Sequence, residues 1–385
     1  MFSKLRIIIH QPVTRRILED FFVDRLIAER IDFLFYDLTS IYHKELKIAG
    51  ESQNDFVIKF DQLSDFEGAL SADNQEVTLY IPYFIYEFKV INAYRILTKY
   101  NCKLAFFGRG VLPSPNIQQT YFQIARRKFN SLGDPKFIWK GISRLYTNYL
   151  KKKGHIKKFD IIFNAGNFGY YTCGTSFELF HAQIVPFNSR DYSRFLRSID
   201  QQEVPVSGRY AVFLDEYLPY HPDVEMMGMK TVEAVSYYNS LNRFFETIEV
   251  RYNITVVIAA HPKSDYKENP YEGRMLIKDK TENLIKNSEF VIDHFSTAIS
   301  YAILNYKPLL LIYTNSIKEV FLDLVEYAYH VSKTLDVDII NIDKNADFRL
   351  EVNTVKYNDY RYGYLTMPEA ESRYDEDIFI DFFKS

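Results

Sequence analysis

Short apolar, β-branched runs alternate with longer segments of helical period along the whole chain, a rhythm that fits parallel strands covered by helices. The first run, LRIIIH (residues 5–10), is followed by TRRILEDFFVDRLIAERI (14–31), in which Ile17, Phe21, Leu26 and Ile27 fall on one helical face. DFLFYDL, VTLYIPYF, the helical EFKVINAYRILTKY and KLAFFGRGVLP continue a β-α-β-α-β order. A basic aromatic segment at about 121–158 interrupts it, and FDIIFNAG and AQIVPFN resume it. After a linker around Pro205 and Gly208 the alternation restarts with RYAVFLD, ITVVIAA, EFVID, PLLLIYT and VDIINI, each separated by a helical segment. The expected fold class is therefore α/β, with two Rossmann-like doubly wound domains and ligand in a cleft at the strand C-terminal ends. Residues 1–205 form the first domain, carrying the insertion, and 206–385 the second.

A length of 385 residues suits two domains of ordinary size. Net charge is only −3, so no global field favours nucleic acid, and any basic surface must be local. Two cysteines, Cys102 and Cys173, are too few for a disulfide framework or a cysteine-based zinc site and fit a reducing compartment. No stretch approaches the roughly 18 consecutive apolar residues that span a bilayer. The expected location is cytoplasmic, with peripheral attachment to an inner membrane through residues 126–158. That segment holds eleven Lys or Arg and one acid, Asp134, interleaved with Phe129, Phe137, Trp139, Tyr146 and Tyr149, a composition suited to anionic headgroups. RNA is a weaker alternative, because nothing resembling a nucleic-acid module surrounds it.

Three strand ends in the second domain carry groups able to do chemistry. His261-Pro262-Lys263 follows the run ITVVIAA, where a strand must leave its sheet; imidazole and ammonium there suit a phosphate or a base edge. Asp293-His294-Phe295 ends the run EFVID, and Ser296-Thr297 then opens a helical segment, a place for N-caps or for an anion. Asp215-Glu216 ends RYAVFLD, offering carboxylates as base or nucleophile. Next come His221-Pro222-Asp223 and Glu225, whose spacing matches no strong zinc pattern, so no metal is expected. In the first domain His10, Asp37, Arg109, Asn164, Gly166 and Asn167 stand at equivalent strand ends.

His261-Pro262 and Ser296-Thr297 together resemble the His-Pro and Ser-Ser/Thr motifs of the bacterial sialyltransferase-like glycosyltransferases, and more loosely the Kdo transferases of surface-polysaccharide assembly. The resemblance covers roughly Tyr210 to Thr314 and implies a GT-B fold. It also implies that His261 contacts a cytidine monophosphate and that Ser296 and Thr297 bind its phosphate. The families' acidic motif has its nearest string in Asp215-Glu216-Tyr217, here in the second domain. The expected activity is transfer of a nonulosonic acid or Kdo from a CMP-linked donor to a surface glycan or lipid-linked glycan, without a metal or other cofactor. Asp215 or Glu216 would act as base, with Asp37 behind them, and His261 as a catalytic group. Pro262, Lys263 and His294 complete the expected nucleotide site. The rival expectations are a transferase using a UDP-sugar or CDP-glycerol, a nucleotide-sugar epimerase, and a non-catalytic nucleotide-binding or scaffold protein.

Overall fold

The computed structural model describes residues 2–43, 54–110, 112–113, 135–173, 181–199, 203–222, 224, 230–344 and 346–385. Its strands are β1 (Lys4–Ile9), β2 (Asp32–Asp37), β3 (Val57–Lys59), β4 (Thr78–Pro82), β5 (Lys103–Gly108), β6 (Ile161–Ala165) and β7 (Gln183–Phe187), then β8 (Tyr210–Leu214), β9 (Thr255–Ala260), β10 (Leu276–Lys278), β11 (Val291–Asp293), β12 (Leu309–Tyr313) and β13 (Ile339–Asn341). They form two sheets, in the orders β3-β2-β1-β4-β5-β6-β7 and β10-β9-β8-β11-β12-β13. Every strand pairing is parallel. Strands buried along their whole length, such as β4, β6, β8 and β12, are the apolar runs of the sequence, because helices cover both faces of a parallel sheet. Two Rossmann-like doubly wound α/β sheets are thus present as expected. The short edge strands β3 and β10 were not legible in the pattern.

In each sheet the chain works outward from one central strand and then returns to its other side. The reversal lies between β1 and β4 in the first sheet and between β8 and β11 in the second. At such a switch point the loops above neighbouring strands diverge and leave a crevice.

The chain packs as two units, one of Met1–Val111, Gln119–Arg190 and Thr366–Ser385, the other of Leu112–Gln118 and Asp191–Leu365. The expected boundary after residue 205 gave 191–205 to the first domain and the C-terminus to the second; the packing differs at both ends. The helix Asp375–Lys384 buries Ile378, Phe379, Ile380 and Phe383 in the first core, with the Phe379 ring 5.6 Å from Phe107 and 5.3 Å from Phe163. Asn188 fixes the approach to it, donating to the Ala370 and Arg373 carbonyls at 3.2 and 2.9 Å and accepting from Thr366 Oγ1 at 2.6 Å. The helix Arg190–Ser198 is tied to the second unit: Ser198 bonds Glu282, and Lys286 Nζ donates to the Ser198 carbonyl at 3.0 Å.

The single helix expected over 14–31 is two, Arg15–Asp20 and Val23–Ala28, because Phe22 takes a left-handed backbone (φ 56°). The kink brings both Phe21 and Phe22 against Phe107, and it turns Ile27 outward to 55% exposure while Leu26 stays buried. Cys102 is buried and its thiol is pushed up to about 12 by burial, an inert core group. The Cys173 side chain and residues 121–134 of the basic insertion lie outside the described residues. The insertion's later part forms the helix Pro135–Lys152.

Candidate functional site

Three of the predicted motifs meet at the switch point of the second sheet. Strands β9, β8 and β11 are neighbours and parallel, with Leu214 beside Ala259 and Ile292 beside Phe213, so their C-terminal ends share one edge. Asp215-Glu216, His261-Pro262-Lys263 and Asp293 through Thr297 therefore emerge side by side. His221 joins them, its ring 4.9 Å from that of His261, so the two His-Pro dipeptides come together. Asp223 and Glu225 lie outside the described residues.

Asp215 is buried, and its carboxylate is saturated. Oδ1 accepts from the Tyr217 N–H at 2.8 Å and the Tyr271 hydroxyl at 2.9 Å; Oδ2 accepts from the Tyr266 hydroxyl at 2.9 Å and the His261 N–H at 3.3 Å. A carboxylate filled by four neutral donors is a fastener between the end of β8 and the His-Pro loop, and it has no lone pair to offer an incoming hydroxyl. The expectation that Asp215 could serve as base is corrected on this ground. Tyr217 is left-handed (φ 53°), which lets the chain turn back over the carboxylate it bonds.

Glu216 is only partly buried and points to different chemistry. Burial first, and the neighbouring Asp215 charge second, push its carboxyl up to about 8 against a hydrogen bond from Ser296 that favours the ionised form. Asp293 is fully buried; its Oδ2 accepts from the Ser296 N–H at 2.9 Å, while Oδ1 has no hydrogen-bond partner among the described residues. Burial and the proximity of Glu216 raise Asp293 well above the usual carboxylate range. The charge on Glu216 thus opposes ionisation of Asp293, and burial opposes ionisation of both.

His261 receives the Lys263 N–H on Nδ1 at 3.1 Å, which places the hydrogen of the neutral ring on Nε2. The Ser264 N–H closes the same turn onto the His261 carbonyl at 2.9 Å. Pro262 and Lys263 are exposed. His294 behaves otherwise than expected. Its ring is wholly buried, with Nδ1 donating to the Ile312 carbonyl at 2.7 Å and Nε2 accepting from the Tyr237 hydroxyl at 3.0 Å, and burial lowers it to about 4. A neutral ring with both nitrogens engaged braces the β11 loop and does not reach a ligand, which corrects its place in the expected nucleotide site.

Ser296 and Thr297 sit in a turn, partly buried and exposed respectively; the helix expected to open at Ser296 is Ile299–Leu304, six residues long. Two of the N–H groups expected to await an anion are already used, that of Ser296 by Asp293 and that of Ala298 by Ser296 Oγ at 3.2 Å. What this turn still presents is the Thr297 side chain and the Ser296 hydroxyl shared with Glu216. Tyr266, Tyr271 and Tyr237 were missed as site residues. A tyrosine five and ten residues beyond His261 was the signal available.

The first-unit candidates are mostly committed elsewhere. Asp37 is buried and accepts from the Thr39 N–H and hydroxyl at 2.8 and 2.5 Å. Arg109 lies over the Phe107 ring at 4.8 Å, donates to the Asp20 carbonyl, and stands 3.6 Å from Asp375. Asn164 donates to the Gly166 carbonyl at 2.7 Å, and Gly169 packs so closely on Gly108 that a Cβ there would stand 2.1 Å from the Gly108 oxygen. Asn167 is exposed. His10 stacks on Phe84 at 5.2 Å, and burial lowers it to about 4. Among the described residues no group of three or more His, Cys, Asp or Glu could hold a metal ion, and no helix is long and apolar enough to cross a membrane.

Neither a protein-family model nor a characterised protein sequence matches this chain. Solved structures of similar fold include the glycotransferase of kitacinnamycin, 9% identical over 100% of this chain and 99% of that one at a TM-score of 0.47. The UDP-GlcNAc 2-epimerase from Methanocaldococcus jannaschii is 11% identical over 99% of this chain and 100% of that one, at 0.45. The wall teichoic acid polymerase TagF is 9% identical over 99% and 89%, also at 0.45. Likenesses this distant bear on none of the residues above.

Proposed function

We propose that this protein is a glycosyltransferase of the GT-B type that binds a nucleotide-sugar donor at the carboxyl edge of its second sheet and passes the sugar to a glycan or lipid-linked glycan of the bacterial surface. The observation that carries the reading is the meeting of Glu216, His261 and Ser296-Thr297 at one switch point, with the Glu216 carboxyl pushed up by burial and Asp293 buried beside it. The donor to test first is a CMP-linked nonulosonic acid or Kdo, because His261-Pro262 and Ser296-Thr297 carry the resemblance to enzymes that use such donors.

In this scheme the acceptor oxygen attacks the anomeric carbon while the bond from that carbon to the phosphate oxygen breaks, its electron pair leaving with the nucleotide. The acceptor proton passes to Glu216 in its ionised form. A carboxylate with a pKa near 8 is a far stronger base than an ordinary one at the same pH. His261, through Nε2–H, and Thr297, with Lys263 beside them, would meet the charge that develops on the departing phosphate; no divalent metal enters the scheme. Asp215 acts through the His261 loop as a positioning residue.

One observation favours a second reading. Two neighbouring carboxyls whose environments raise them can supply an acid and a base to the same substrate, as a nucleotide-sugar epimerase requires. The test is turnover of CMP- and UDP-activated sugars by the wild-type protein and by Glu216→Gln, followed by mass spectrometry and NMR. Transfer or hydrolysis of a CMP-sugar that depends on Glu216 and rises with pH toward about 8 supports the proposal. Epimerisation of a UDP-sugar moves the assignment to the second reading. Nucleotide binding without turnover, and with Glu216 dispensable, identifies a non-catalytic scaffold.

A further inference from the structure

The last turns of the helix Pro135–Lys152 bury one side in the first unit and expose an apolar stripe on another. Leu150 is buried in the first unit's core, with Thr147 and Lys151 buried on the same side. Ile142, Leu145, Tyr146 and Tyr149 recur at the spacing of one helical face, yet they are 51, 72, 38 and 54% exposed. Phe88, itself 47% exposed, extends this outer stripe, its ring 6.0 Å from Tyr146. Beside the stripe opens a pocket of about 430 Å³ lined by Arg95, Tyr146, Tyr149, Leu150 and His155, with Arg95 Nη2 donating to the Tyr146 hydroxyl at 3.4 Å. Arg95 and His155 at the pocket and Lys152 and Lys153 at the end of the helix are exposed, and Glu87 beside Phe88 is the exposed acid of that neighbouring turn.

We infer that this outer face docks on an anionic phospholipid membrane, with Leu145, Ile142 and the two tyrosine rings entering the headgroup region and the cations meeting lipid phosphates. Charge complementarity selects this occupant. Cations around an apolar stripe would face one another across a symmetric contact between two copies, whereas a lipid surface supplies the missing negative charge. Tyrosine, apolar in its ring and polar at its tip, is suited to the interface between the two phases. The inference deepens the proposed function, on which it rests for its purpose, because a lipid-linked acceptor is delivered at such a surface. Membrane binding itself is measured without nucleotide, so the two stand or fall separately.

The experiment is flotation of the full-length protein with vesicles of equimolar phosphatidylcholine and phosphatidylglycerol, against pure phosphatidylcholine, in low and high salt. Binding to the anionic vesicles is expected, weakening as salt shortens the reach of the charges. The double variant Leu145→Glu/Tyr149→Glu should bind about tenfold or more weakly, with unchanged melting and nucleotide affinity, since both side chains are exposed. Lys152→Glu/Lys153→Glu should lose about tenfold on anionic vesicles alone. Absence of vesicle binding, or equal binding by Leu145→Glu/Tyr149→Glu, overturns the inference. A dimer in sedimentation analysis that the same variant dissociates would assign the face to a second copy instead.

Discussion

The two sheets have the same kind of switch point, but their carboxyl edges use polar residues in opposite ways. At the first, Arg109 lies buried against Phe107 among Asp20 and Asp375, Asp37 is occupied by Thr39, and Asn188 holds the incoming C-terminal segment. At the second, Asp215, Asp293 and His294 are buried and bonded internally, whereas Glu216, His261, Lys263, Ser296 and Thr297 keep some exposure. Equal topology with unequal commitment of side chains locates chemistry better than the presence of polar residues at strand ends.

Breaking the first edge should show as stability. Arg109→Ala removes the buried cation beside Asp375 and leaves Asp20 to Arg190 and Tyr83, and should cost about 2–4 kcal/mol in chemical denaturation. Nucleotide affinity of the remaining folded protein should not change. Asp215→Ala tests the hinge between the two roles. It strips two tyrosine hydroxyls and two backbone N–H groups of their acceptor, so a loss of about 2–4 kcal/mol is expected, together with weakened nucleotide binding through the loosened His261 loop. Unchanged stability would remove Asp215 from its fastening role.

Glu216→Gln should do the converse. Turnover should fall by about a hundredfold or more while melting at neutral pH is kept or raised, because the glutamine is neutral, as the raised carboxyl largely is, and cannot ionise beside Asp293. The pH dependence follows with a definite sign. Glu216 is raised from an ordinary 4.5 to about 8 in the folded state, so between those values the native protein holds a proton that the unfolded chain has released. This group's contribution to stability therefore falls as pH rises through that window, and the wild-type melting curve should slope downward more steeply than that of Glu216→Gln. Parallel slopes would show that Glu216 titrates normally.

Much of the fold was legible because a doubly wound sheet writes itself as buried apolar runs of strand length, and β4, β8, β9 and β12 were all visible that way. Periodicity could not reveal that Phe22 would adopt a left-handed backbone, or that Ile378 through Phe383 would return to the first core, since both are decided by tertiary packing. At the second sheet's carboxyl edge, the strand ends singled out in the sequence do come together. Which carboxylate was saturated depended on Tyr266 and Tyr271, residues whose reach toward Asp215 no local pattern encodes. His294 was misplaced for a related reason: a histidine after a strand reads as cleft-facing until Ile312 and Tyr237 are seen on either side of its ring.

The central claim is that the second sheet's edge is a nucleotide site, and calorimetric titration of CMP, CDP, UMP and UDP into the wild-type protein and His261→Ala tests it most directly. The account predicts that one of these nucleotides, CMP first, binds and that the variant loses about tenfold in affinity, about 1.4 kcal/mol. Binding of none of the four, or equal binding by His261→Ala, would contradict it.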